Sequence, residues 1–289
     1  MWIVFAFGSA FFAGITSVLA KIGIRRTDSH LATALRTIVV LCFAWLIVFL
    51  TGSQQSLRQI PARSLLYLGL SGITTGASWI CYFRALQLGD VNKVTPIDKS
   101  STILTMLLAF LLLGERLRLN MVLGMALIAV GTWLMIQRKA SSSPAASSSR
   151  AWFFYALGSA LFASLTSILS KIGIEHVESN LGTALRTVIV LIMAWAIVFS
   201  QGKHRQIAAI DRRSWLFILF SGLTTGLSWL CYYRALQLGP AAVVAPIDKL
   251  SLLVTVLFAC LFLKERISPR ALFGLILLTG GTLLLLFPF

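Results

Sequence analysis

Acidic residues are scarce in this chain, which has only 9 Asp and Glu against 25 Lys and Arg, and charged residues make up only 12% of it. Soluble globular domains carry about 25% charged residues, so the composition excludes that class. Apolar runs of roughly 20 residues recur along the whole length, and each can cross a hydrocarbon core about 30 Å thick. The sequence therefore predicts an integral protein of the inner or plasma membrane.

Motifs for catalysis and metal binding are missing as well. There is no Walker motif, no nucleophile-base-acid set and no H-E-x-x-H, so we expect neither ATP hydrolysis nor another enzymatic activity. The four cysteines form no C-x-x-C pair and the three histidines lie at segment ends, which argues against a metal or other cofactor. The basic residues are scattered and form no continuous face, so nucleic acid is not an expected partner.

A tandem repeat organises what is present. Residues 1–139 align without a gap to residues 151–289, and 66 of the 139 pairs are identical. We interpret residues 1–138 as the first repeat, 139–150 as a Ser- and Ala-rich linker, and 151–289 as the second repeat.

Five apolar spans are predicted in each repeat, so the fold class is all-α, with ten transmembrane helices. Only helices and closed barrels satisfy their backbone in lipid, and the alternation of a barrel strand is absent. Because five is odd, the second repeat must start on the opposite side of the membrane, which makes the two halves inverted. Inverted repeats are typical of secondary transporters. The predicted spans are 2–20, 31–50, 65–88, 91–113 and 119–137, with their copies 150 residues later.

Charged residues inside the spans are the main candidates for a solute or ion path, because such charges are costly in lipid and usually face an interior or an aqueous cavity. By connectivity the set in each repeat shares one side of the membrane, and the two sets lie on opposite sides. These residues are Arg36, Arg84, Asp98 and Lys99, with their copies Arg186, Arg234, Asp248 and Lys249.

Two interpretations of these charges remain open. In the structural one, Asp98 pairs with Arg36, or Lys99 with a helix-end carbonyl, only to hold the bundle together. In the functional one, Asp98 and Asp248 take up protons while the arginines attract a carboxylate or another anionic group. Long basic side chains also reach the membrane surface in some proteins.

Prolines, aromatic residues and glycines complete the candidate positions. Each proline of the P-I-D-K stretches removes a backbone hydrogen bond and is a candidate helix break. The aromatic pairs are either interfacial anchors or cavity walls, and the glycines form G-x-x-x-G packing motifs. The residues are Pro96 and Pro246, then Trp79, Tyr82, Trp229 and Tyr232, then Gly72, Gly76, Gly222 and Gly226.

The order of these motifs resembles the EamA family of the drug/metabolite transporter superfamily. Each repeat runs from a G-S-A in the first span through L-x-T-A-L-R-T, R-A-L-Q-L-G and then G-E-R or K-E-R. The S-W-x-C-Y-x-R-A-L-Q-L-G and P-I-D-K blocks are most similar to single-repeat bacterial members of five helices. The resemblance implies ATP-independent transport of small metabolites such as amino acids.

Two features depart from the family pattern. Many two-repeat members carry a proline midway along span four, where this chain has Ser101 and Ser251. Thirteen basic residues of the connections fall on one side of the membrane and five on the other, which by the positive-inside rule places both termini outside. The resemblance implies cytoplasmic termini, so the two indications disagree.

The sequence thus predicts a secondary transporter that moves a small anionic or zwitterionic solute by alternating access. Proton coupling and uncoupled exchange both remain open, with the proton as the expected coupling ion. A scaffold or lipid-handling membrane protein without transport is the alternative. The expected partners are the solute and membrane lipid, and both a monomer and a homodimer are compatible with the sequence.

Overall fold

A computed structural model describes residues 1–23, 27–88, 91–116, 118–135, 151–263 and 268–287. The predicted linker at 139–150 lies outside these residues. The described part of the chain contains twelve α-helices and two short 3₁₀ helices, Ser53–Gln59 and Lys203–Ala209. The α-helices are α1 (Trp2–Gly23), α2 (Ser29–Leu50), α3 (Ala62–Leu88), α4 (Val91–Lys99), α5 (Ser101–Leu113), α6 (Leu119–Met135), α7 (Ala151–Ile174), α8 (Ser179–Ser200), α9 (Arg212–Leu238), α10 (Ala241–Asp248), α11 (Ser251–Leu263) and α12 (Pro269–Leu284).

These helices form ten transmembrane segments in two inverted five-helix repeats, as predicted. Six segments are long and apolar enough to span a membrane by length and hydropathy alone. They are α1, α2, α7, α8, α9 and the combined α10 and α11. The shorter apolar helices α6 and α12, with α3 and the combined α4 and α5, complete the ten. The fourth span of each repeat is divided into two helices, α4 and α5 in the first repeat and α10 and α11 in the second.

The two membrane faces can be named from contacts between connections. Asp28, between α1 and α2, pairs with Lys203, between α8 and α9. Glu115, between α5 and α6, accepts hydrogen bonds from Ala241 at the start of α10. We call the corresponding sides the Asp28 face and the Glu115 face. Helix α1 runs from the Glu115 face to the Asp28 face, and its copy α7 runs the opposite way.

Helices pack mainly against the opposite repeat. Helix α1 lies along α9 and α3 lies along α7, while α2 packs on α8 and α6 on α12. The largest core cluster accordingly joins residues of both repeats, such as Ala6 and Met106 with Val244 and Leu278. Neither repeat therefore buries its apolar helices by itself.

The G-x-x-x-G motifs lie at close contacts between helices of opposite repeats. A Cβ atom on Gly76 of α3 would lie 2.6 Å from the Met193 Cβ atom of α8. A Cβ atom on the copy Gly226, in α9, would lie 2.8 Å from the Phe43 ring of α2. Gly72 and Gly222 similarly face Ile189 and Val39. Only glycine allows this separation of the helix axes.

Glycine also sets the contact between α6 and α12. A Cβ atom on Gly281 would lie 2.9 Å from the Gly124 carbonyl oxygen and 2.8 Å from the Leu127 Cβ atom. The adjacent Gly280 points away, and nothing lies within 4 Å of a Cβ atom placed there. The two neighbouring glycines thus have opposite packing roles.

Substituting Gly281→Ala should force α6 and α12 apart, whereas Gly280→Ala should not. We expect Gly281→Ala to lower the free energy of unfolding by about 1–3 kcal/mol, the usual effect of overpacking. Equilibrium unfolding in mixed micelles measures it, with Gly280→Ala as the matched control. Equal effects of the two substitutions would contradict the role assigned to Gly281.

An ion pair joins the repeats at the Asp28 face. The Asp28 carboxylate caps α2 by accepting from the His30 and Leu31 amides and lies 2.6 Å from the Lys203 Nζ atom. Burial opposes ionisation of Asp28, but the bonds from Lys203 and from the two amides outweigh it and hold the pKa of this carboxyl below its ordinary value of 3.8.

This ion pair should make stability depend on pH. Because the folded-state pKa of Asp28 is lowered, its contribution is fully present above 3.8 and is lost as the pH falls through the folded value. Lys203→Gln should therefore lower the unfolding free energy by about 0.2–1 kcal/mol at neutral pH and have no effect in strong acid. The exposed Arg205, in the same 3₁₀ helix, supplies the control Arg205→Gln, which should be neutral at both pH values.

Candidate solute site

The fourth span of each repeat is interrupted at its P-I-D-K stretch. Helix α4 ends at Lys99 and α5 begins at Ser101, while α10 ends at Asp248 and α11 begins at Ser251. Pro246 lies inside α10, so the interruption follows the proline. The side chain of Pro96 lies outside the described set. The interruptions place the acidic and basic residues at helix ends, and turn hydrogen bonds such as Ser100 N–H to the Ile97 carbonyl oxygen and Lys249 N–H to the Pro246 carbonyl oxygen join the two helices of each span.

Each aspartate is held by one serine of the opposite repeat, and a serine of its own repeat in turn bonds that serine's backbone. Ser159 of α7 donates to the Asp98 Oδ1 atom at 2.7 Å, and the Ser78 hydroxyl donates to the Ser159 carbonyl oxygen at 3.0 Å. The pairing of Asp98 with Arg36 that we considered above is not formed. Asp98 instead lies 3.6 Å from the Lys99 Nζ atom.

The same arrangement recurs at the second aspartate. Ser9 of α1 donates to the Asp248 Oδ1 atom at 2.7 Å, and Ser228 donates to the Ser9 carbonyl oxygen at 3.1 Å. The two arrangements are related by the repeat, so they approach the middle of the protein from opposite faces.

Four charged side chains meet between the repeats and form what we call the central quartet: Asp98, Lys99, Asp248 and Lys249. Lys249 interacts electrostatically with Asp248, Lys99 and Asp98, and α10 packs on α5. Asp98 remains partly accessible, with 17% of its side chain exposed, and Lys99 more so, with 40% exposed. The quartet is neutral overall but offers both signs of charge to a ligand.

Tyrosines lie beside the quartet in both repeats. Tyr82 interacts electrostatically with Asp98 and bonds the Thr95 side chain, while Tyr232 interacts with Asp248 and donates to the Ser167 hydroxyl at 3.3 Å. Trp79 is half-buried among helices α2, α3, α8 and α9, packed on a cluster that includes Leu31 and Ala194. Trp229 lies 5.0 Å from the Arg186 guanidinium. All four aromatic side chains therefore interact with residues of other helices.

The two arginines of the L-x-T-A-L-R-T motifs have different surroundings. Arg186 is 5% exposed, and its Nη2 atom donates to the Thr75 hydroxyl at 2.6 Å. Arg36 lines a cavity of about 100 Å³ with Thr33 and Ser221.

Arg84 and Arg234 also differ, although each donates to the glutamine three residues later. Arg84 is exposed and lines a groove of about 370 Å³ with Phe83 and Gln87. On the other side of the membrane, Gln237 donates to the Ile174 and Val177 carbonyl oxygens at 3.1 and 2.7 Å and thereby ties α9 to the end of α7.

The Glu115 face is closed by contacts between the repeats and by contacts within the second repeat. The Glu115 carboxylate accepts from the Ala241 and Ala242 amides at 2.7 and 2.9 Å, a favourable place for negative charge at a helix N-terminus. Lys171 donates to the Leu236 and Gly239 carbonyl oxygens. Residues 241–247 of α10 are all buried.

Sequence reasoning missed the serines and Glu115. Ser9, Ser78, Glu115 and their copies are identical between the repeats and polar next to apolar segments. A search for polar residues identical in both repeats, and not only for charged residues within spans, would have found them.

A solute carrier typically has inverted halves, interrupted spans and charged groups at its centre, as this protein does. The sequence matches the model of the EamA-like transporter family over residues 1–137 and 150–287. The chain belongs to the EamA-like transporter family. It is thus a non-enzymatic membrane transporter of a solute.

Two known proteins are similar to parts of this chain. An uncharacterized transporter in the cobO 3′ region of Sinorhizobium sp is 47% identical over 134 residues, which are 46% of this chain and 95% of that protein. This transporter therefore has the length of one repeat. An uncharacterized protein of Methanocaldococcus jannaschii is 29% identical over 83 residues, covering 29% of this chain and 61% of its own length.

A solved structure shares the fold of the EamA-like chain. A crystal structure described only as that of a protein superposes with a TM-score of 0.76 over 98% of this chain and 95% of the other. At 19% identity the likeness shows the fold alone.

Removing the Glu115 carboxylate should weaken the closed Glu115 face. Because two amides of α10 lose their acceptor, we expect Glu115→Ala to lower the unfolding free energy by about 0.5–2 kcal/mol, as for loss of a helix cap. Exposed Glu175 lies at the same face, and Glu175→Ala should change stability by less than about 0.5 kcal/mol. Equilibrium unfolding in mixed micelles distinguishes them, and indistinguishable variants would refute the capping role.

Proposed function

We propose that this protein is an ATP-independent secondary transporter of small zwitterionic solutes, of the amino-acid class, that works by alternating access. The observation that carries the proposal is the central quartet. Two carboxylates and two ammonium groups converge between the repeats, where α4 and α10 end. Charges of this kind inside a membrane protein usually mark a substrate or ion path.

The charge balance of the quartet supports a zwitterionic solute over a purely anionic one. A carboxylate of the solute would pair with Lys99 or Lys249, and an amino group with Asp98 or Asp248. Both interactions are charge-assisted hydrogen bonds, which are stronger than neutral ones. An anion alone would leave the two aspartates without a new partner.

The difference between the two membrane faces supports alternating access. The Glu115 face is closed by the Glu115 and Lys171 bonds. At the Asp28 face, by contrast, a groove and a cavity reach Arg84 and Arg36. Because the repeats are inverted copies, exchanging their roles would open the Glu115 face by equivalent movements.

Asp98 and Asp248 are the proposed proton carriers. Each accepts a hydroxyl hydrogen bond from its serine and lies near a lysine of the quartet. Protonating an aspartate frees its lysine for the solute carboxylate, which would couple proton binding to solute binding.

Flux through proteoliposomes tests this function. We expect a pH gradient to drive uptake of at least one amino acid in a screen, and Asp98→Asn or Asp248→Asn to reduce that gradient-driven uptake by about tenfold or more. Glu175→Gln, at an exposed position, should keep full activity. Uptake that ignores the gradient would remove the proton role, and a protein that moves none of the amino acids would refute the proposed substrate class.

A further inference from the structure

The arginines Arg36 and Arg186 occupy the same position in the two repeats but have different partners. Each lies two turns into the second span, Arg36 near the Asp28 face and Arg186 near the Glu115 face. In the described part of the chain, no carboxylate lies within 4.0 Å of either guanidinium. A buried guanidinium without a counter-ion is costly, so its retention in both repeats calls for a ligand.

Arg186 is engaged by neighbouring residues at the closed face. Its Nη2 atom donates to Thr75 at 2.6 Å, and its guanidinium lies 5.0 and 5.3 Å from the Trp229 and Tyr233 rings. These cation–π contacts replace part of the hydration that the charge has lost. The Nε atom of Arg186 nevertheless has no hydrogen-bond partner among the described residues, so one donor stays available.

Arg36 is not engaged in the same way. The counterpart of Thr75 is Thr225, and each hydroxyl donates to the serine carbonyl oxygen four residues earlier, Ser71 or Ser221. Among the described residues, only Thr75 also accepts a bond from the arginine of the opposite repeat. In the described part of the structure Arg36 makes no side-chain hydrogen bond, and it lines the cavity of about 100 Å³.

The Arg36 cavity has the chemistry of an anion site. Three hydroxyl-bearing residues, Ser29, Thr33 and Ser221, line the cavity with Arg36, and Ala20, Ala32 and Ile218 complete the lining. The carboxylate nearest along the chain, Asp28, is paired with Lys203, so it does not neutralise Arg36. A guanidinium presents two parallel N–H donors that match a planar carboxylate, and the cavity has room for such a group.

Sequence differences between the repeats account for the asymmetry of the two positions. Tyr233 and Ser170 bond through their hydroxyls at 2.6 Å beside Arg186. The corresponding residues Phe83 and Ala20 have no hydroxyl, so this closing contact cannot form near Arg36.

We propose that Arg36 and Arg186 are alternating binding sites for the carboxylate of the transported solute. Arg36 binds it while the Asp28 face is open, and Arg186 binds it after the Glu115 face has opened and the Thr75 bond has broken. The central lysines receive the carboxylate between these two steps. The inference rests on the proposed function and adds the sites at which the solute first binds from each face.

Chemical modification of arginine tests the two sites in the unmodified protein. Methylglyoxal reacts with accessible guanidinium groups, and peptide mass spectrometry reports each site separately. In reconstituted protein we expect Arg36 to be modified at least about tenfold faster than Arg186, because Arg186 is bonded and stacked. Sodium acetate should slow the reaction at Arg36, while sodium chloride and methylammonium chloride at equal ionic strength should not. Exposed Arg84 serves as the internal reference for reagent access.

Equal modification of the two arginines, or no protection of Arg36 by acetate beyond that by chloride, would overturn the inference. Neither result depends on flux, so the proposed function would survive. Failure of pH-driven flux with intact acetate protection would instead refute the proposed function and leave an anion site.

Substitutions of the two arginines, assayed in vesicles of defined orientation, test whether the carboxylate binds alternately at Arg36 and Arg186. Using the amino acid found in the flux screen, we expect Arg36→Gln to raise the KM about tenfold or more for uptake from the Asp28 face, with a smaller effect from the other face. Arg186→Gln should give the reverse. Arg36→Lys should restore part of the affinity, since the charge remains but the paired donors are lost. Identical effects from both faces would contradict the alternation even where both variants fold.

Discussion

The two repeats depend on each other for burial, and the rest of the structure follows from this constraint. Helices α1 and α3 lie against α9 and α7 of the opposite repeat, and glycines such as Gly76 and Gly226 bring the backbones close enough for side chains to interlock. Lipid is as apolar as the helices themselves, so dispersion contacts and hydrogen bonds between helices must hold the bundle. The packing surface shared by the two inverted halves provides both the dispersion contacts and the hydrogen bonds.

The central quartet exists because of that shared surface. Each aspartate is contributed by one repeat and held by a serine of the other, as Ser159 holds Asp98 and Ser9 holds Asp248. A relative movement of the repeats therefore acts directly on the charged groups. Packing and charge are thereby coupled at the same interface.

The asymmetry between the faces arises from small differences between otherwise similar repeats. Pro240 precedes α10, which begins with Ala-Ala-Val-Val and is buried there, while the corresponding stretch of the first repeat reads Asp-Val-Asn-Lys. Tyr233 adds a hydroxyl that Phe83 lacks, and that hydroxyl bonds Ser170. The state seen here is thus partly encoded in the residues by which the duplicated halves have diverged, because apolar and hydroxyl-bearing residues stabilise closure at the Glu115 face.

The sequence by itself determined the class, the repeat and the inversion. Apolar length decides membrane insertion, a shift of 150 residues exposes the duplication, and an odd number of spans leaves no alternative to inverted halves. It also marked Asp98, Lys99 and Arg36 with their copies, since charge inside a span is rare enough to be seen without a structure. The sequence did not reveal the side-chain partners of these charged residues. It allows a pair between Asp98 and Arg36, whereas in the structure Ser159 and Lys99 bind Asp98. Only the tertiary structure decided these pairings and the closed face, because they depend on which helices of opposite repeats touch, and local sequence does not specify contacts between segments so far apart.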